Sequence, residues 1–301
     1  MKNLVTSNSI QKGTRRMAFE RTLVKVSNLG PESKLTKIEA RMLAPNGLNY
    51  ELYEGPNDTV VFLNGMSQST LHWKSQARAF QSKFQVLTYD AQGQGDSPLS
   101  DVKLTLETHS KDLAELLDHI GAERVHLVGF SHGARVALQF AVDFPERVKS
   151  LVLCSATATP NALSRTIIRS WREILERGGV QAMSWAALPT ILGNRFLEQN
   201  EHLLGGIIKA SEQRNSRDGL MALLEGMQSY PDLSELARQV SAPTLVISAD
   251  GDLLVTRDGA QELARLTKGR HVEVKGVGHT IPIEAPEEFR ELVLGFLSEH
   301  A

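Results

Sequence analysis

Short, unbroken apolar runs alternate along this chain with longer stretches whose apolar residues recur every three or four positions. The runs are Thr59-Val60-Val61-Phe62-Leu63, residues 85–89, Val125-His126-Leu127-Val128, Leu151-Val152-Leu153-Cys154, residues 243–248 and residues 271–275. Their length and the turn residues that bound them predict buried strands. The periodic stretches predict helices over about 70–80, 107–120, from residue 132 to about 144, 257–266 and 286–298. In the second of these, Leu113, Leu116, Leu117 and Ile120 form one stripe, and Gly121 suits the helix end. Strands and helices in this alternation predict an α/β fold, a mostly parallel central sheet with helices on both faces. Residues 36–44 and 48–54 read as two further strands around Pro45-Asn46-Gly47, where Asn-Gly is a hairpin signal.

The alternation is interrupted once. Residues 157–240 carry helical patterns and no convincing strand. Ile167, Ile168, Trp171, Ile174 and Leu175 make one stripe that Gly178-Gly179 ends. Met183 and Trp185 precede Pro189, and Leu220, Met221, Leu223, Leu224 and Met227 make another stripe. An all-helical insertion in an α/β chain predicts a cap over the active-site face. The expected organisation is an N-terminal extension over 1–35, partly disordered, a core over 36–156 and 241–301, and the cap between. A brief alternation at Leu23, Val24 and Val26 is compatible with an edge strand.

Composition narrows the function classes. A chain of 301 residues with 41% apolar and 23% charged side chains can bury a large core. A formal net charge of −2 gives no basic footprint for nucleic acid. No run approaches the length of a membrane span, and residues 1–16 are polar and basic without the apolar centre of a signal peptide. The expectation is a cytoplasmic protein. The single cysteine, Cys154, rules out an intrachain disulfide and reads as a small core residue at a strand end.

Candidate chemistry begins at Gly129-Phe130-Ser131-His132-Gly133. A strand leads into this Gly-x-Ser-x-Gly segment and a helical pattern follows at once, the layout of a nucleophile elbow. The glycines let the backbone on both sides of Ser131 pass close to its neighbours. The helix start also offers free N–H groups to an anion forming beside the serine. A serine hydroxyl needs a base, and His279 follows the last predicted strand. The base needs a carboxylate to fix its tautomer, and Asp252 follows the strand at 243–248. Alone, His279 reads as a loop histidine and Asp252 as a helix N-cap. Together with Ser131 they stand just past three parallel strand ends, where such sheets place their sites. The ring of His132 is expected to point away from Ser131, leaving only its backbone N–H in play. No cofactor or metal is expected. There is no His-Glu-x-x-His, Asp250-Gly251-Asp252 lacks the further ligands of a calcium loop, and the 90–98 loop lacks the third glycine of a dinucleotide site. That loop reads as a support for its neighbours.

These motifs identify a resemblance to the α/β-hydrolase fold superfamily, in its serine esterase and thioesterase-like branch with a helical cap. The matching segments are Val61 to Gly65, Asp90 to Ser97, the elbow, Ala249 to Asp252, and Gly278-His279 with Glu284-Ala285-Pro286. The chain order serine, acid, histidine agrees with it. The resemblance implies an oxyanion hole formed by the backbone N–H groups of Met66 and His132. It also places the acid three residues after Ala249, at Asp252 rather than Asp250. Two positions depart from the family pattern: Asn64-Gly65 stands for His-Gly, and Gln92 for the arginine of an Asp-x-Arg-Gly turn. The Asn-Gly loop is also similar to that of enzymes moving 3-hydroxyacyl groups from acyl carrier protein. A serine at the elbow argues against dehalogenase and epoxide hydrolase chemistry. The resemblance implies a serine hydrolase cleaving an ester, thioester or lactone of a small to medium acyl compound. Alternatives are an acyltransferase, with an acyl-carrier protein as partner, a ligand receptor on the same fold, and carbon–carbon bond hydrolysis.

Overall fold

The computed structural model describes residues 42–301. The N-terminal extension, the alternation at 23–26 and the first part of the 36–44 strand lie outside the described residues. Strands β1 (Met42–Leu43) and β2 (Asn49–Tyr53) pair antiparallel, Leu43 opposite Asn49. Gly47, at φ +84°, makes the turn between them. The chain then alternates through β3 (Thr59–Leu63), α1 (Thr70–Phe80), β4 (Gln85–Tyr89), α2 (Leu106–Ile120), β5 (Val125–Phe130), α3 (His132–Asp143) and β6 (Val148–Cys154). Thr105 caps α2 by accepting from Thr108 N–H, and Gly121 ends it in the left-handed region at φ +71°.

Among the described residues the sheet has eight strands in the order β1-β2-β4-β3-β5-β6-β7-β8, completed by β7 (Thr244–Ala249) and β8 (Arg270–Val274). Pairing is parallel from β4 through β8, and β2 joins β4 antiparallel. All five residues of β3 are buried. Successive strand residues face opposite sides, so Val61 and Leu63 enter one core while Val60 and Phe62 enter the other. The first core receives α2 and α3, together with α9 (Arg257–Leu266). The second receives Trp73 and Phe80 of α1 and Phe289 and Val293 of α11 (Pro286–Ser298), which follows the short α10 (Ile281–Glu284).

Between β6 and β7 the chain forms α4 (Ala162–Ile191), α5 (Asn194–Asn200), α6 (Leu204–Arg214), α7 (Arg217–Ser229) and α8 (Ser234–Gln239). The sequence pattern divides α4 at its paired glycines. The structure divides it there too: Gly179, at φ +73° and ψ −173°, is a non-helical kink between two helical segments. Pro189 likewise lies inside α4, near its end. Helix α6 has no clear stripe because it buries only Ile208, while Ile207, and Leu203 just before the helix, remain substantially exposed. Among the described residues no helix is long and apolar enough to cross a membrane.

One crossing fixes the site. A side chain on Gly133 would put its Cβ 2.3 Å from Leu63 O, and one on Gly129 would meet Ala134 Cα at 2.5 Å. Helix α3 therefore lies directly against the ends of β3 and β5. Replacing Gly133 by alanine must push α3 off the sheet. The expected cost is about 2–3 kcal/mol or more, from overpacking against backbone that cannot yield. Urea denaturation of Gly133→Ala against the parent measures it, and an unchanged midpoint would contradict the crossing.

Candidate active site

The parallel register decides which loops meet. Leu63 pairs with Gly129, and Phe130 pairs with Cys154. The loop after β3, the elbow after β5 and the loop after β6 thus emerge side by side, at the point where the strand order turns from β4 to β5 around β3. Ser131 has φ 52° and ψ −112°, a strained backbone for a residue with a side chain. Its N–H donates to Cys154 O at 2.8 Å, which ties the turn to β6.

Ser131, Asp252 and His279, expected from the sequence to act together, are brought together. The Ser131 hydroxyl donates to His279 Nε2 at 2.8 Å, and His279 Nδ1 donates to Asp252 Oδ2 at 2.7 Å. Asp252 is buried, and its Oδ1 accepts from the N–H groups of Leu254 and Val255 at 2.8 and 3.0 Å. A carboxylate so held can accept only from the Nδ1 side, which leaves Nε2 free to take a proton from the serine. Asp250 faces the other way. Its Oδ1 accepts from Gly276 N–H at 2.7 Å, in the loop between β8 and His279 rather than within its own turn.

The loop carrying His279 is held by contacts that the sequence pattern did not single out. Glu284 Oε2 accepts from the N–H groups of Gly193 and Gly278 at 2.8 and 2.9 Å. Its Oε1 accepts from the Thr280 hydroxyl and N–H. Ser155 Oγ donates to His279 O at 2.7 Å. One carboxylate thus joins the histidine loop to the junction of α4 and α5. In the sequence Glu284 appeared as part of a segment matching the family pattern, without a role of its own.

Met66 lies in the loop after β3 and lines the cavity above Ser131. Among the described residues neither Met66 N–H nor His132 N–H has an intramolecular acceptor, so both donors are available to an anion. The loop is built by polar contacts. Trp73 Nε1 donates to Asn64 Oδ1 at 2.7 Å, Asn64 Nδ2 to Tyr89 O at 2.8 Å, and Ser67 N–H to Gln94 Oε1 at 2.7 Å. Asp90 gathers donors from Asn49, Thr70 and Asp96, so the 90–98 loop braces its neighbours. Gln92, standing where the family pattern has arginine, donates to Asp112 Oδ2 at 2.7 Å. The His132 ring packs edge-on to His109 and lies 3.0 Å from the Tyr230 hydroxyl. Cys154 is fully buried, and burial pushes its thiol pKa up, so it stays a protonated core residue.

Two cavities open from the serine. One, of about 560 Å³, is mainly apolar and is lined by Met66, Phe130, Trp171, Met183 and Ile208 among others. Leu203, just before α6, and Ile207 of α6 line it, which explains why that helix lacks a core stripe. The other, of about 420 Å³, runs toward α3 and the chain after α7. Ser131, His279, Ile168, Met227 and Leu254 border both. Trp185, a cap residue with a large apolar side chain, is 47% exposed and borders neither. Among the described residues no group of three or more His, Cys, Asp or Glu side chains is arranged to hold a metal ion.

Comparison with known proteins places this geometry in a family. Residues 60–292 match the profile of the Alpha/beta hydrolase family, and the chain belongs to it and is an enzyme of that class. It is 30% identical over 248 residues to a Pantoea ananatis protein, RutD, whose name proposes a carbamate hydrolase; the match covers 81% of this chain and 90% of that one. Among solved structures it is similar to the enol-lactonase of Burkholderia xenovorans LB400, with TM-score 0.77, 25% identity and coverage of 83% and 96%. A thermophilic esterase of Thermogutta terrifontis gives TM-score 0.76, 26% identity and coverage of 84% and 94%.

The buried histidines behind the elbow make stability depend on pH. Burial holds His109 down at about 4 and His132 well below its ordinary value. Between pH 6.5 and about 4 the unfolded chain takes up protons that the folded chain refuses. Stability is therefore full above pH 6.5 and falls as pH drops, by about 1.4 kcal/mol per pH unit per histidine. Urea midpoints at pH 7 and pH 5 should differ accordingly, and His109→Phe should reduce the difference. A midpoint independent of pH would contradict this.

Proposed function

We propose that the protein is a serine hydrolase that cleaves the acyl–oxygen or acyl–sulfur bond of a small to medium ester, thioester or lactone through an acyl-enzyme. The observation that carries this reading is the continuous hydrogen-bonded line from Asp252 through His279 to Ser131. In the proposed reaction Ser131 Oγ attacks the substrate carbonyl carbon as His279 Nε2 takes its proton. Asp252 stabilises the resulting imidazolium and keeps its orientation. The developing oxyanion is met by Met66 and His132 N–H, donors of a kind worth roughly a hundred- to a thousandfold each. The leaving group departs with the proton from His279. Water then enters, gives a proton to the same nitrogen and attacks the acyl carbon, which frees Ser131.

The likeness to an enol-lactonase and an esterase supports an acyl–oxygen bond as the target. The apolar cavity beside Ser131 supports a hydrocarbon portion in the acyl compound.

A fluorophosphonate should label Ser131, and Ser131→Ala should lose both labelling and turnover of a panel of esters, thioesters and lactones. Asp252→Asn should lower kcat by about three to four orders of magnitude, as when a triad histidine loses its orienting carboxylate. Asp250→Asn should cost within roughly tenfold, because Asp250 does not touch His279 and an asparagine Oδ1 can still accept from Gly276 N–H. Variants with matched melting temperatures test the assignment. Labelling at another serine, or a dead Asp250→Asn beside an active Asp252→Asn, would overturn it.

Met227 borders both cavities, so Met227→Ala should shift the ratio of kcat/KM between octanoyl and acetyl esters by roughly tenfold, within the range set by pocket methylenes. Trp185→Ala should leave that ratio as it is. Equal ratios in both variants would remove Met227 from the substrate path.

A further inference from the structure

The two cavities that meet at Ser131 differ in chemistry. The smaller one carries three arginines, Arg135, Arg165 and Arg169, against one carboxylate, Asp232. That carboxylate is already engaged, accepting from the Thr159 hydroxyl and from Ser234 N–H. Arg165 is exposed and donates to Pro160 O. Arg169, one turn further along α4, is exposed at the same cavity and has no ion-pair partner among the described residues.

Arg135 is the unusual member. It stands one turn after Ser131 on α3, and its N–H bonds back to Ser131 O. Helical side chains tilt toward the helix N-terminus, so its guanidinium is directed back toward the elbow. Among the described residues it has neither a hydrogen-bond acceptor nor a carboxylate partner. Its polar neighbour Tyr230 has its hydroxyl against His132 instead. Burial works against its charge. A half-buried guanidinium at a cavity wall, without an acceptor or a carboxylate partner, is free to bond a ligand there. Five donors in a planar fork, beside a reactive serine, suit an oxygen anion.

We propose that the smaller cavity binds an anionic oxygen group of the substrate, a carboxylate or a phosphate, through Arg135. Preferred substrates would then carry a hydrocarbon arm and an anionic arm on the two sides of the carbonyl that Ser131 attacks. The inference rests on the hydrolase reading for the scissile bond, and on the cavity alone for the anion. Arg169 adds a second cation at the same wall, which a dianion would engage and a carboxylate would not need.

Four esters test it: phenyl hexanoate, para-carboxyphenyl hexanoate, para-phosphophenyl hexanoate and monophenyl adipate. The second and third put the anion on the leaving group, as carboxylate or phosphate, and the fourth puts a carboxylate on the acyl side. Each kcat/KM is divided by the rate of the same ester with hydroxide, which removes leaving-group reactivity. At least one anionic ester should exceed phenyl hexanoate, and Arg135→Gln should lower that ratio by roughly 10- to 100-fold, the worth of a hydrogen bond to a charged group. Arg135→Lys should restore part of it. Matched melting temperatures and fluorophosphonate labelling of Ser131 establish that each variant is folded. A ratio that is unchanged in Arg135→Gln, or a wild-type preference for the neutral ester, would overturn the proposal. Calorimetric binding of the same esters to Ser131→Ala, with and without Arg135→Gln, separates the two readings. If the wild type cleaves none of the four but Ser131→Ala binds an anionic one selectively through Arg135, the hydrolase reading fails and the anion site stands. Equal binding of all four would overturn the site whatever the turnover.

Discussion

Ser131 occupies a backbone conformation that serine rarely adopts, and it stays there because its surroundings leave no relaxed alternative. Gly129 and Gly133 allow α3 to approach within backbone contact of β3 and β5. The Ser131 N–H is claimed by Cys154 on the next strand. Strain of this kind, worth of order 1–3 kcal/mol, persists only where the packing around it is over-determined. Here the packing is the middle of a sheet whose strands are buried on both faces. The elbow thus draws on the stability of both cores, and every other part of the site is arranged around the position it gives the serine.

The loops around the elbow are held by polar contacts rather than by apolar packing, and their logic is common. Asp90 collects donors from the start of β2, the start of α1 and its own loop, Asn64 links Trp73 to the end of β4, and Glu284 links the His279 loop to the α4–α5 junction. Loops over a sheet edge present backbone N–H groups that burial would leave unpaired, so each buried carboxylate or amide both needs these donors and satisfies them. The arrangement makes the three strand ends one polar framework. A change in Glu284 would reach His279 without touching it.

The helical insertion gives the site its two environments. Apolar side chains of α4 and α6 face the larger cavity, while Arg135 of α3 and Arg165 and Arg169 of α4 give the smaller one its charge. His132 belongs to this second wall through Tyr230 and to the elbow through its own backbone. A shift of the chain after α7 would therefore be felt at the residue next to the serine. Apolar and cationic walls on opposite sides of one serine are a physical basis for choosing among acyl compounds that share a reactive carbonyl.

Much of this was legible in the chain alone. Unbroken apolar runs located the parallel strands, because burial on both faces leaves no polar alternation, and period-3.6 patterning located their helices. Gly129, Ser131, Gly133, Asp252 and His279 stood out because their positions relative to strand ends are local facts. Other features required the folded chain. Helix α6 escaped notice because its apolar residues line a cavity and so leave no core stripe. The passage of α4 past Pro189 was not marked by the local pattern, because the helix runs on for only two more residues. Trp185 and Met227 were indistinguishable by composition, and only tertiary packing put one at the cavities and the other at the surface. The choice of Asp252 over Asp250 was available from spacing, but the hydrogen bonds that separate them come from strands far apart in sequence. Arg135 was visible one turn beyond the serine, yet an absent partner is a property of three-dimensional surroundings, which no single segment contains.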